Sequence, residues 1–215
     1  MRARITAMAT LLVLALSAGH ATAQEVVDRI VAKVESDIIL MSDVQALARY
    51  QSFLDGKALS DSEILNKLLD QWIVRSEAQI ARFPQPSEDD VNRSIERLKR
   101  SFSSSEEYEA RRLQSGMTDE QIRGFVRAQL YLSNYLDSRF RSVIQVDEKA
   151  IEEFYKSRVV PRAESRGQTP PTLDTARDFI QEALVQRAIN EQADRWLKES
   201  RTRVRIEILL NEKVQ

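Results

Sequence analysis

Cysteine is absent from this 215-residue chain, and histidine occurs once, as His20. Without cysteine there is neither a disulfide nor a thiol nucleophile. His20 falls in a segment whose removal is expected, so zinc, haem and iron–sulfur centres are not expected in what remains, and neither is a histidine-dependent triad. Glycine is scarce: of five, only Gly56, Gly116, Gly124 and Gly167 lie beyond residue 23. Few tight turns therefore interrupt a composition rich in Leu, Ala, Glu, Gln and Arg, which favours long helices. Long apolar runs are missing too. The longest, Ala7 to Leu16, is about ten residues, against the roughly 20 that a membrane-spanning helix needs, so no integral membrane segment is expected.

That run follows Met1-Arg2-Ala3-Arg4 and leads to Ala21-Thr22-Ala23 before a polar stretch. Basic start, short apolar core and small-x-small exit are the three parts of a secretory signal, which predicts cleavage after Ala23 and work outside the cytoplasm. The competing reading is an uncleaved, buried helix. Removing residues 1–23 also removes Arg2 and Arg4, leaving 30 basic against 33 acidic residues. Near-neutrality with interspersed signs gives no electrostatic case for a nucleic-acid partner.

β-Branched residues dominate from Val26 to Leu40, in two runs separated by Glu35-Ser36-Asp37, which predicts an N-terminal β-hairpin. Ser42 with Gln45, Ser60 with Glu63, Ser103 with Glu106 and Thr118 with Gln121 have the spacing at which hydroxyl and acid or amide satisfy a helix start reciprocally. The second helix carries Leu65, Leu68, Leu69, Trp72, Ile73 and Ile80 on one side and ends before Pro84. The third starts near Ser87, and a short fourth ends at Gly116. The longest runs from about Asp119 to Val143. It has one stripe through Ile122, Val126 and Leu136 and a second, roughly opposite, through Gly124, Ala128, Tyr131 and Tyr135. Two apolar faces need two partners: either another helix packs on the second face, or that face is an aromatic surface lining a groove.

A further helix is expected from Asp147 to Ser157. Pro161, Gly167, Pro170 and Pro171 then mark 159–172 as a linker. Beyond it, Leu173 to Ser200 reads as a long helix, and Val204, Ile206, Ile208 and Leu210 alternate with mostly polar residues as a strand with one buried face. A lone strand needs an edge to pair with, and the other strands are at the chain's beginning. The two ends are therefore expected to meet in one small antiparallel sheet on a mainly α body.

Paired acids such as Asp89-Asp90, Glu106-Glu107 and Glu152-Glu153 sit in first turns or beside basic neighbours, as solvated, dipole-favouring charge does. With no Gly-rich phosphate loop and no nucleophile elbow, nothing in the chain argues for an enzyme or a cofactor.

The run Val26-Val27-Asp28-Arg29-Ile30-Val31-Ala32, with Val34, Ile38, Ile39 and Ser42-Asp43 after it, resembles the opening of the SurA family of periplasmic chaperones for outer-membrane proteins. The stretch Arg203-Val204-Arg205-Ile206-Glu207-Ile208-Leu209, preceded by Trp196, resembles that family's last helix and strand. The resemblance implies one chaperone module, related in architecture to trigger factor, with residues 24–158 and 173–215 as its two parts. Family members commonly insert parvulin-type prolyl isomerase domains before the final helix, and here only 159–172 stands in that place. The Asn-Gly type turn frequent in relatives is replaced by Glu35-Ser36-Asp37.

What the resemblance implies is an ATP-independent periplasmic holdase for unfolded outer-membrane protein precursors. The alternatives are an envelope adaptor holding one folded partner and an inactive relative of the prolyl isomerases. A holdase grips clients by apolar surface, and by residue type Phe53, Phe102, Tyr108, Met117, Tyr131 and Tyr135 are the peptide-binding candidates, with ordinary core as their other assignment. Short hydrophobic hairpins and a terminal strand also leave a swapped dimer open.

Overall fold

The computed structural model describes residues 28–210. The segment read as an export signal, the bond after Ala23, and Val26 and Val27 lie outside them.

Strand β1 (Ile30–Val34) turns through Glu35 and Ser36 into β2 (Asp37–Leu40), and β3 (Ile206–Ile208) pairs antiparallel with the other side of β1, giving the order β2-β1-β3. The chain ends thus meet in one sheet, as the sequence predicts. In β1 the register slips between Ile30 and Ala32. Such a bulge puts one extra residue on the strand, and both Val31 and Ala32 are buried as a result. Strand β3 is shorter than its alternating pattern. Val204, Ile206 and Leu210 pack on the core, but Ile208 stands opposite Ala32, whose methyl covers little of it, and is 57% exposed.

The helices are α1 (Met41–Asp55), α2 (Asp61–Ile80), α3 (Glu88–Arg100), α4 (Ser105–Ser115), α5 (Asp119–Phe140), α6 (Glu148–Phe154), α7 (Val160–Glu164) and α8 (Leu173–Arg201). Two reciprocal caps form as the spacing requires. Glu63 N–H donates to Ser60 Oγ while Glu63 accepts from Ser60 N–H, and Thr118 and Gln121 do the same. Two others shift. Helix α1 begins one residue before Ser42, with Asp43 accepting from Leu40 N–H at 2.9 Å. In α4, Ser104 rather than Ser103 is the cap, because Glu107 rather than Glu106 turns back onto the serine run. Gly116 ends α4 with φ +65, the left-handed conformation that costs glycine nothing.

Three apolar clusters follow one another along the molecule. The largest joins the sheet to α1, the start of α2, α4 and the first half of α5. The second holds Val74, Ala78, Tyr131 and Tyr135 with Trp196 and Leu197, so helices α2 and α8 cover the Tyr131–Tyr135 part of the second face of α5, while Gly124 and Ala128 on that face are exposed. The third holds Ile151, Ala176 and Ile180 between α6 and α8. Helix α8, about 43 Å long at 1.5 Å per residue, spans the third cluster, the second and the sheet. Its end is clamped by Arg201, which donates to Asp70 Oδ1 at 2.8 Å and to the Asn66 carbonyl at 2.7 Å.

The first part of the expected linker, 159–164, is helical. Pro161 has no N–H for the Ser157 carbonyl, and its ring would clash with it in a regular helix. The chain widens into a π turn over Tyr155–Val159 and continues as α7, passing the proline without a break. Only about 165–172 is loop, and Tyr155 ties it down by donating from its hydroxyl to the Pro171 carbonyl at 2.7 Å.

Candidate functional site

Of the six aromatic and methionine candidates, Phe53, Tyr108, Met117, Tyr131 and Tyr135 are buried and Phe102 is partly so. They are core, not exposed surface, and the expectation of an aromatic face built from them is corrected. Phe53, Phe102 and Tyr108 stack on one another at centroid distances of 5.3–5.4 Å, with Tyr108 edge-on to both partners, the geometry in which ring quadrupoles attract. Met117 closes the same cluster. Tyr131 and Tyr135 instead meet Phe83 at 6.0 and 5.6 Å. Residue type alone cannot separate an aromatic that a neighbouring helix covers from one left open.

The accessible apolar surface lies elsewhere, around the tip of the hairpin. Trp72 of α2 donates from Nε1 to Asp37 Oδ2 at 2.8 Å, which fixes the half-buried indole as a ridge beside β2. A cavity of about 570 Å³ opens on one side of it, lined by Trp72, Ile80, Arg139, Trp196 and Arg203. Another of about 520 Å³ opens on the other side, lined by Ile38, Leu68, Trp72, Arg75 and Phe125. Ile80 is 77% exposed and Ile38 52%. Ile80 falls on the apolar side of α2 by period, but α2 ends there and no element extends over it.

Polar groups hold these walls in place. The Arg139 guanidinium sits 4.9 Å from the Trp196 ring centroid and donates to the Tyr135 hydroxyl at 3.1 Å. Deeper in the fold, Tyr50 donates to Gln129 Oε1 at 2.9 Å, and burial pushes its phenol up to about 12. Among the described residues no group of three metal-ligating side chains converges, and no helix is long and apolar enough to cross a membrane. The arrangement offers two hollows that could hold side chains, the one beside Ile38 and Phe125 mainly apolar and the one beside Trp196 mixed, with Glu77, Glu199 and Arg203 among its lining. The available signal in the sequence was the pair of tryptophans, large residues whose N–H keeps them at an edge.

No family model and no curated protein matches the chain.

Proposed function

We propose that this chain is an exported, ATP-independent chaperone that holds unfolded outer-membrane protein precursors in the periplasm. The observation that carries this is the closure of the two chain ends into one β2-β1-β3 sheet on a helical body, the organisation implied by the resemblance of both ends to the SurA family. Export rests on the layout of residues 1–23. The client surface is the pair of hollows flanking Trp72. At roughly 25 cal/mol per Å² of apolar area, a few client side chains seated there give weak, reversible contacts, which suits release without a nucleotide. The test is suppression of aggregation of a urea-unfolded porin by residues 24–215. Protection at near-stoichiometric protein, reduced by the double variant Ile38→Ser, Ile80→Ser, supports the proposal. A flat response at several-fold excess, with one folded partner recovered on pull-down, points to an adaptor instead.

A further inference from the structure

At the end of the molecule away from the sheet, a cavity of about 430 Å³ lies between the π turn, α7 and the first half of α8. Its apolar wall includes Phe154, Val159 and Phe179, the last 71% exposed. Its polar wall includes Arg158, Arg162 and Arg166, four residues apart along one side of the chain, and no acid lines it. This is unusual in a chain of net charge −1. The neighbouring cations are neutralised, Lys156 by Glu152 at 3.2 Å and Arg177 by Glu148. Among the described residues, none of the three cavity arginines has a carboxylate partner. The π turn that accommodates Pro161 is also of a kind frequent at functional sites, and it carries Arg158 and Val159 into the cavity wall.

We infer that this cavity binds a peptide segment in which an aromatic side chain is flanked by carboxylates, the ring entering between Phe154 and Phe179 and the acids pairing with Arg158, Arg162 and Arg166. Guanidinium forks match carboxylates in two parallel hydrogen bonds, and the ring gains both apolar burial and a cation facing its π surface. The volume is at the small end of ligand pockets, about 300–1,000 Å³. It admits one or two side chains and leaves no slot for the acyl chains of a bilayer lipid. The site is separate from the hollows beside Trp72 and does not depend on the chaperone proposal.

The test is calorimetric titration of residues 24–215 with a capped octapeptide alternating aspartate and phenylalanine, and with counterparts in which lysine replaces aspartate or alanine replaces phenylalanine. Expected is binding of the first peptide that weakens with salt, at least about tenfold weaker binding of both counterparts, and at least about tenfold loss in Arg162→Glu and in Phe179→Ser. Both side chains are exposed, so circular dichroism should be unchanged. The comparison among peptides on the native chain keeps the inference falsifiable if a variant misfolds. Equal affinity for the aspartate and lysine peptides, or unchanged affinity in Arg162→Glu, overturns it. So does co-sedimentation with phosphatidylglycerol vesicles, lost in Arg162→Glu, without peptide binding.

Discussion

Glu35 and Arg205, 170 residues apart, exchange two hydrogen bonds: Glu35 N–H donates to the Arg205 carbonyl at 3.0 Å, and the Glu35 carboxylate accepts from Arg205 N–H at 2.7 Å. Glu35 is also left-handed, with φ 54, at a turn position that glycine or asparagine fills more easily. The residue accepts backbone strain in return for a carboxylate that ties the hairpin tip to the approach of β3. Glu35→Ala keeps the strain and loses the acceptor, so it should destabilise by about 1–2 kcal/mol. Glu35→Gly should do less harm, because it recovers about 1 kcal/mol of conformational cost. Urea unfolding of the two variants checks both parts: equal or reversed losses would show that the left-handed backbone carries no strain that glycine relieves, and a negligible loss in Glu35→Ala would show that the carboxylate contributes little.

The buried aromatics and the exposed isoleucines should separate cleanly by experiment. Phe53 is fully covered, and Phe53→Ala should cost about 3–5 kcal/mol, lowering the thermal midpoint steeply. Tyr131→Ser and Tyr135→Ser should also destabilise, so they cannot report on client binding independently of folding. Ile80→Ser, at the open end of α2, should leave the midpoint within about 0.5 kcal/mol of native stability. If Ile80→Ser unfolds the chain as Phe53→Ala does, the hollow beside Trp72 is closed in solution.

Much of this fold was legible because its signals are local. Ser60 with Glu63 and Thr118 with Gln121 start helices at the predicted places, and the strand periods at both ends leave only each other to pair with. What the sequence did not disclose depends on neighbours distant in the chain. Tyr131 is buried because Val74 and Ala78 arrive from α2, while Phe179 is open because nothing arrives. Pro161 reads as a breaker in isolation, yet a π turn next to it lets the helix pass. The cationic cavity was hidden for the same reason: Arg162 and Arg166 fall in the stretch read as a linker and Arg158 just before it, and only the folded π turn, α7 and the turn after it bring the three into one wall.

The loop after α7 depends on Tyr155. Its hydroxyl donates the hydrogen bond that ties the π turn to the Pro171 carbonyl. Tyr155→Phe removes the donor while leaving the ring packed with the cluster around Ile151. Segments 165–172 should then open more often. Trypsin should cut after Arg166 several-fold faster than in the native chain, with the global unfolding midpoint little changed. An unaltered cleavage rate would mean that the loop is held by packing alone.

Stability should fall off at both ends of the pH scale, for different reasons. Glu88, at the start of α3, receives Arg123 Nη2 and Arg127 Nη1 from α5, each at 2.6 Å. Hydrogen bonds from Arg123 first, and then from Arg127, hold its carboxyl below the ordinary 4.5. Glu63, Glu107 and Glu182 are lowered by Ser60, Ser103 and Arg141 respectively. A depressed folded value means that the unfolded chain binds the proton more tightly. These contributions are therefore complete above the ordinary value and are lost as pH falls through the folded ones. Glu88→Gln should flatten the acid limb of a plot of urea midpoint against pH, and added salt should shrink its effect because the pair is exposed. On the alkaline side Tyr50, raised from 10.0 to about 12 by burial, stays protonated in the fold after the unfolded phenol has ionised. Its contribution is lost as pH rises from 10 towards 12, and Tyr50→Phe should flatten that limb alone. If Tyr50→Phe changes the acid limb, or Glu88→Gln the alkaline one, the assignment of the two limbs to these residues is wrong.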